Sequence, residues 1–250
     1  MITPIIKAEK LTTGYSNQVL LRSVDFEVNP HDIFVIMGGS GCGKSSLLRI
    51  LTGLIPALGG NVFIKGTNIT KANQQEKDEL MKTCGILYQS GALFSSMTLG
   101  ENIALPLEQY TDYGKSTIDD LVNMKLKLVG LDGYQDFYPS EISGGMKKRA
   151  GLARALALDP DIVYFDEPSA GLDPVSSKQL DDLILNINQS FGTTIVVVSH
   201  ELASIFTIAN NSIFLSKETQ SILARGNPHD LLKNPPNEQV YEFLTRGSKK

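Results

Sequence analysis

Along residues 5–29 apolar side chains recur at alternate places, as at Ile6 and Ala8 and again at Val24, Phe26 and Val28. A period of two predicts half-buried antiparallel strands. Tyr15 falls in the turn region between them. The pattern then changes: Ile33 to Met37 is an unbroken apolar run, predicting a buried strand, and Ser46 to Gly53 predicts a helix closed by glycine. After Gly59-Gly60 comes a hairpin through Val62 to Lys65, then a polar surface helix over 71–82, then a short buried strand from Gly85 to Gln89.

From about Ser95 to Pro160 the period becomes helical. Thr98 and Glu101 make a capping box that opens a helix limited by Pro106. Ser116 caps a second helix, whose Ile118, Leu121, Val122, Leu126 and Val129 recur at helical spacing as far as Gly130. Ser143 opens a third, with Leu152, Ala155 and Leu156 on one face. Strands and helices alternate again after Pro160. A strand ends at Asp166; Asp173 caps a helix with Pro174 at its first position and a stripe of Leu180, Leu183, Ile184 and Ile187. Thr193 to Val198 is a β-branched central strand, Ser199-His200-Glu201 starts the next helix, and 212–216 and 221–224 are final strands. The Pro-rich tail from Gly226 carries Val240, Tyr241, Phe243 and Leu244, which suit a helix on its own domain and a contact for another protein equally well. The expected layout is a core with an antiparallel β-subdomain over 1–94 and 161–225, a helical insertion over 95–160, and a C-terminal extension over 226–250.

Composition narrows the function. A chain of 250 residues with 42% hydrophobic and 20% charged residues can bury a substantial core. Its net charge of −4 supplies no basic stripe, so nucleic acid is not an expected partner. Cys42 and Cys84 have neither metal spacing nor a disulfide framework, and Cys42 is expected to stay a thiol in a reducing compartment. No stretch approaches the ~20 apolar residues of a membrane span, and no basic-then-apolar leader is visible. The expected place is the cytosol, with any membrane work done by docking onto another protein.

The chemistry centres on Gly38-x4-Gly43-Lys44-Ser45, set between the strand from Ile33 and the following helix. This is the context a phosphate-binding P-loop requires. Glycines let consecutive N–H groups point at one anion, and the helix N-terminus adds positive charge. Lys44 then reaches the β- and γ-phosphates, and the Ser45 hydroxyl ligates Mg²⁺. The cradle comprises Gly38, Gly39, Ser40, Gly41, Cys42, Gly43, Lys44, Ser45 and Ser46. The acids Asp166-Glu167 at a strand end are the second signal: Asp166 for the metal, Glu167 as general base for water attacking the γ-phosphate. Ser143, Gly144 and Gly145 at a helix start make a second anion site. One nucleotide does not need two cradles, but two chains packed head to tail do, so the site predicts a dimer sandwiching ATP.

These motifs, in this order, resemble the ATP-binding subunits of ABC transporters over nearly the whole chain. The resemblance implies a P-loop ABC ATPase fold of the α/β class, with a mostly parallel core sheet, an N-terminal antiparallel β-subdomain and an inserted helical subdomain. It implies ATP and Mg²⁺ as cofactors and ATP hydrolysis as the activity. Tyr15 matches the aromatic that stacks on adenine, and Gln89 the glutamine that senses Mg²⁺ and the membrane partner. Ile142-Ser143-Gly144-Gly145-Met146 matches the signature motif, departing at Ile142 and Met146 from the usual Leu and Gln. Asp173 matches the D-loop aspartate, and His200 the switch histidine that contacts the γ-phosphate.

Met146 followed by Lys147-Lys148-Arg149, and Gln89-Ser90-Gly91-Ala92-Leu93-Phe94, are similar to the MlaF-type ATPases of phospholipid transporters that work between bacterial membranes. That similarity implies a second copy of the chain, an integral membrane permease, a periplasmic MCE lipid-binding protein and a small STAS-type regulator as partners. It places the chain peripherally on the cytoplasmic face of the inner membrane. Two alternatives stay open: an ABC ATPase for a non-lipid substrate, and a soluble ABC-type ATPase such as one for cluster assembly.

Overall fold

The computed structural model describes residues 3–15 and 18–247. Residues 16 and 17, within the turn region expected from the sequence, lie outside the described residues. Strands β1 (Ile6–Tyr15), β2 (Gln18–Val28), β3 (Ile33–Gly38), β4 (Gly59–Ile64), β5 (Thr67–Asn68) and β6 (Cys84–Leu87) are interrupted by helices α1 (Lys44–Leu51) and α2 (Gln74–Met81). Between β6 and β7 (Ile162–Asp166) lie α3 (Leu99–Tyr110), α4 (Lys115–Leu128), a 3₁₀ turn at Pro139–Glu141, and α5 (Gly144–Ala155). The chain continues through α6 (Pro174–Phe191), β8 (Thr194–Val198), α7 (Leu202–Ile208), β9 (Asn211–Ser216), β10 (Ser221–Arg225), α8 (Pro228–Lys233) and α9 (Glu238–Leu244).

Two sheets result. β2-β1-β4-β5 is antiparallel throughout, and β10-β9-β3-β8-β7-β6 is parallel except where β10 returns along β9. The six-stranded sheet is buried on both faces, which is why β3, β7 and β8 read as unbroken apolar runs. Alternate residues serve opposite layers. Val35, Met37, Val163, Phe165 and Val197 pack against α3, α4, α5, α6 and α7. Phe34, Ile36, Tyr164, Val196 and Val198 pack against α1 and the antiparallel sheet.

Several elements differ from the sequence reading, each for a physical reason. Pro106 does not limit its helix: α3 runs on to Tyr110 because Ile103 and Leu107 on either side are fully buried, which offsets a cost of roughly 3 kcal/mol for an internal proline. Ser116 does not cap α4. Gly114 is the N-cap, without a side-chain bond, and Ser116 sits inside the first turn. The P-loop helix starts at Lys44, two residues before Ser46, because left-handed Gly43 (φ 99°) turns the chain directly into it. Tyr15 ends β1 rather than lying in the turn. His200 precedes α7, which begins at Leu202. The tail, for which the sequence leaves two readings open, takes one of them and so does not differ: it packs on its own chain, with Val240 and Leu244 buried and Phe243 meeting Phe214 edge-on, ring centroids 5.1 Å apart.

Candidate functional site

The parallel strands deliver the site. In register, β8 lies between β3 and β7, so Ile36, Val198 and Asp166 stand abreast near the carboxyl ends of their strands. In open parallel sheets this edge is where ligands bind. There the chain forms a cleft of about 980 Å³ whose lining includes Tyr15, Lys44, Ser45, Gln89, Glu167 and His200.

The P-loop closes over the end of β3. Gly38 has φ 146°, and a Cβ there would stand 2.4 Å from the Leu215 carbonyl oxygen, so glycine is required. Gly41 (φ 73°) and Gly43 (φ 99°) are also left-handed. The first helical bond of α1 runs from the Leu47 N–H to the Gly43 carbonyl at 2.8 Å. The N–H groups of Lys44, Ser45 and Ser46 therefore have no carbonyl partner within the helix and face its N-terminal end, an anion site of positive potential. Lys44 is buried, its ammonium donating to the carbonyls of Gly38 at 3.0 Å and Gly39 at 3.1 Å. Cys42 enters the loop through its backbone only. Its side chain packs in the core below, and burial pushes the thiol pKa up.

The Ser45 hydroxyl donates to Asp166 Oδ1 at 3.0 Å. Neighbouring ligands of an octahedral Mg²⁺, each ~2.1 Å from the ion, stand ~3 Å apart. The pair already has the spacing of two adjacent Mg²⁺ ligands, so the residues present fit the ion. Tyr15 leaves its ring half exposed and its hydroxyl 3.0 Å from Ser46 Oγ.

Glu167 follows Asp166 in the left-handed region, φ 51°, unusual for a residue with a side chain. Its N–H donates to the Val198 carbonyl at 2.9 Å, and its own carbonyl accepts from Ala170 N–H at 3.2 Å. His200 Nδ1 stands 2.9 Å from Oε1 and 2.8 Å from Oε2. Only the first contact is aligned as a hydrogen bond, so Oε2 is buried and makes none among the described residues.

Ser143, Gly144, Gly145 and Asp173 do not line this cleft. They gather elsewhere. Ser143 Oγ caps α5 by accepting from Met146 N–H at 3.3 Å. Asp173 caps α6 from the N–H groups of Val175 and Ser176, both at 3.0 Å. The Ser176 hydroxyl also donates to it and is the main cause holding the carboxyl pKa below its usual range. Gly145 faces Ser176, whose Oγ would be 3.3 Å from an added Cβ. The starts of α5 and α6 thus form one exposed ledge.

Sequence reasoning missed three groups. Lys217, Glu242, Phe243 and Arg246 share the cleft wall with the P-loop, and the order of residues holds no signal for that. Lys148 is almost fully buried, at 6% exposure. Its signal was present: it lies one turn before Leu152, on the apolar side of its helix. Asp181, likewise buried, sits beside the Leu180–Ile187 stripe.

A profile of the ABC transporter family matches residues 21–170. The Mycobacterium leprae protein named as a probable ribonucleotide transport ATP-binding protein, mkl, is 39% identical over 239 residues, 96% of this chain and 68% of that protein. The intermembrane phospholipid transport system ATP-binding protein MlaF of Haemophilus influenzae is 36% identical over 96% of this chain and 90% of its own length. MlaF of Escherichia coli K12 is 39% identical over 91% and 84%. The chain thus spans about two-thirds of the mycobacterial relatives it matches, 68% and 66% of two of them. Among solved structures, the dimeric post-hydrolysis state of the cassette MJ0796 bound to ADP and Pi superposes with a TM-score of 0.80 at 25% identity, covering 89% of this chain and 98% of that one. The fold of cbiO1 from Clostridium perfringens gives 0.84, with 93% and 92% covered. Among the described residues no helix is long and apolar enough to cross a membrane.

Proposed function

The chain belongs to the ABC transporter family and is an ATP-hydrolysing cassette that takes ATP with Mg²⁺, and from that premise we propose that it powers phospholipid transport between the membranes of a bacterial envelope. ABC cassettes dimerise and drive membrane permeases. The finer reading is that this one works on the cytoplasmic face of the inner membrane with an MCE lipid-binding protein and a STAS-type regulator. One observation carries the choice of cargo. The two MlaF proteins match over 90% and 84% of their own lengths, whereas the mycobacterial relative named for ribonucleotide transport matches over 68%.

Within the site, Lys44 and the N–H groups opening α1 hold the β- and γ-phosphates, and Tyr15 stacks on adenine. Ser45 and Asp166 hold Mg²⁺, with Gln89 beside them; the ion supplies charge neutralisation along the phosphates. Glu167 accepts a proton from water as its oxygen bonds to the γ-phosphorus. The bond from that phosphorus to the bridging oxygen breaks, leaving ADP and phosphate. His200 orients Glu167 and touches the γ-phosphate. Ser143, Gly144, Gly145 and Asp173 face the nucleotide held by the second copy.

Mass spectrometry of proteins and lipids co-purifying with tagged Glu167→Gln chain from detergent-solubilised membranes tests this. A permease with an MCE protein carrying phospholipid is the expected outcome. A permease with another substrate-binding subunit, or no membrane partner, would overturn the lipid reading.

A further inference from the structure

Lys148 lies on α5, the helix that Ser143 caps, yet its ammonium reaches into another part of the chain. It donates to the carbonyl of Pro168 at 2.6 Å and to that of Ala170 at 2.5 Å. These two carbonyls belong to the first and third residues after Glu167. A lysine at 6% exposure gives up hydration that costs several kcal/mol unless replaced. Here two backbone oxygens replace it; burial holds the ammonium pKa below its usual value, and the negative charge of Glu167 partly opposes that.

The contact supports a strained turn of the backbone. Glu167 occupies the left-handed region at φ 51°, a conformation that costs a residue with a side chain of order 1 kcal/mol or more. Its turn closes through the bond from Ala170 N–H to its carbonyl at 3.2 Å. Ala170 is therefore held from both sides, by Glu167 through its N–H and by Lys148 through its carbonyl. Later turns of α5 are tied too: Arg154 donates to the Ala92 carbonyl at 2.9 Å, and Gly151 packs so closely on Gly91 that a Cβ would stand 2.8 Å from its carbonyl oxygen. The helix is a rigid post, and Lys148 is the strut from it to the turn.

We propose that Lys148 is a positioning residue for hydrolysis, fixing the Glu167 turn so that its carboxylate meets the attacking water. This rests on Glu167 being the general base. Nucleotide contacts are not expected from Lys148, which does not line the cleft.

The test compares Lys148→Met, Lys148→Arg and Glu167→Gln, and the Lys148→Met/Glu167→Gln pair, in the complex the full chain forms in native membranes. Lys148→Met should lower kcat by ~10–100-fold, the scale of a slight misplacement of a reacting group. KM for MgATP should stay within about 2-fold, since ground-state binding is untouched. Lys148→Arg, which keeps donors for both carbonyls, should recover most of the rate. In the Glu167→Gln background Lys148→Met should add less than ~3-fold, because residues acting as one unit are not additive. Normal kcat in Lys148→Met, or a full extra loss on top of Glu167→Gln, overturns the proposal. If Lys148→Met does not fold, Lys148→Gln, which keeps an amide donor, takes its place in the same comparisons. Normal turnover in Glu167→Gln itself sinks the general-base reading instead, so the two failures are distinguishable.

Discussion

Asp181→Asn should stabilise the protein at neutral pH and lose that advantage in acid. Asp181 is buried at 5% exposure on α6, where Oδ2 accepts from the Ser204 hydroxyl of α7 at 2.9 Å. Oδ1 is buried with no hydrogen-bond partner among the described residues. Burial is the main cause pushing its pKa from 3.8 to about 6, against the Ser204 bond and with help from neighbouring Asp182. A carboxyl whose folded pKa is raised binds its proton more tightly when folded. The charged form therefore destabilises the fold fully above pH ~6, and the penalty fades as pH falls towards ~4. A shift of this size corresponds to roughly 3 kcal/mol. Asparagine keeps an acceptor for Ser204 but places an amide N–H₂ where Oδ1 has no partner, costing ~1–2 kcal/mol of that gain. About 1 kcal/mol of the charge penalty still remains at pH 4.5, so the net expectation is a gain of ~1–2 kcal/mol at pH 7.5 that shrinks to between no difference and a loss of ~1 kcal/mol near pH 4.5. Urea unfolding at both pH values reads it directly. A variant less stable than wild type at pH 7.5, or a difference unchanged between the two, refutes the reasoning.

Lys44→Ala removes a charged donor from the phosphates and leaves the Gly38 and Gly39 carbonyls without it. MgATP affinity by calorimetry should fall at least ~100-fold, and unchanged affinity would contradict the P-loop assignment. Gly38→Ala sets a Cβ 2.4 Å from the Leu215 backbone oxygen at φ 146°. Thermal unfolding should show a loss of ~2–4 kcal/mol; wild-type stability would mean β3 and β9 part more easily than their register suggests. Cys42 is 1% exposed beneath the loop, so alkylation requires local opening. Saturating MgATP, at 100 times Kd, should slow labelling by up to ~100-fold, and equal rates with and without it would show that the loop is not closed by nucleotide.

The sequence disclosed those features whose physics is local. The strand ending at Asp166, the Thr98 capping box and the Asp173-Pro174 helix start depend on adjacent residues, and each forms as expected. Strands β3, β7 and β8 were legible because a sheet covered on both faces demands continuous apolar runs. What failed was decided by distant packing. Pro106 stays helical because Leu107 is buried on the far side of it, and between the two roles open to the tail the contact of Phe243 with Phe214 decides for packing on its own chain. Ser116 looked like a cap because serine favours that place, but a helix start also needs the chain to enter from the right direction, which Gly114 supplies. Lys148 and Asp181 interrupt apolar faces, and their partners, the Pro168 and Ala170 carbonyls and Ser204, are near only in the fold.

The most direct test of the account is ATP turnover by the Glu167→Gln chain in its native complex, with bound nucleotide quantified in the same sample. The account predicts full MgATP occupancy with turnover at least ~100-fold below wild type, the scale of a lost general base. Wild-type turnover at full occupancy would contradict it and remove Glu167 from the chemistry.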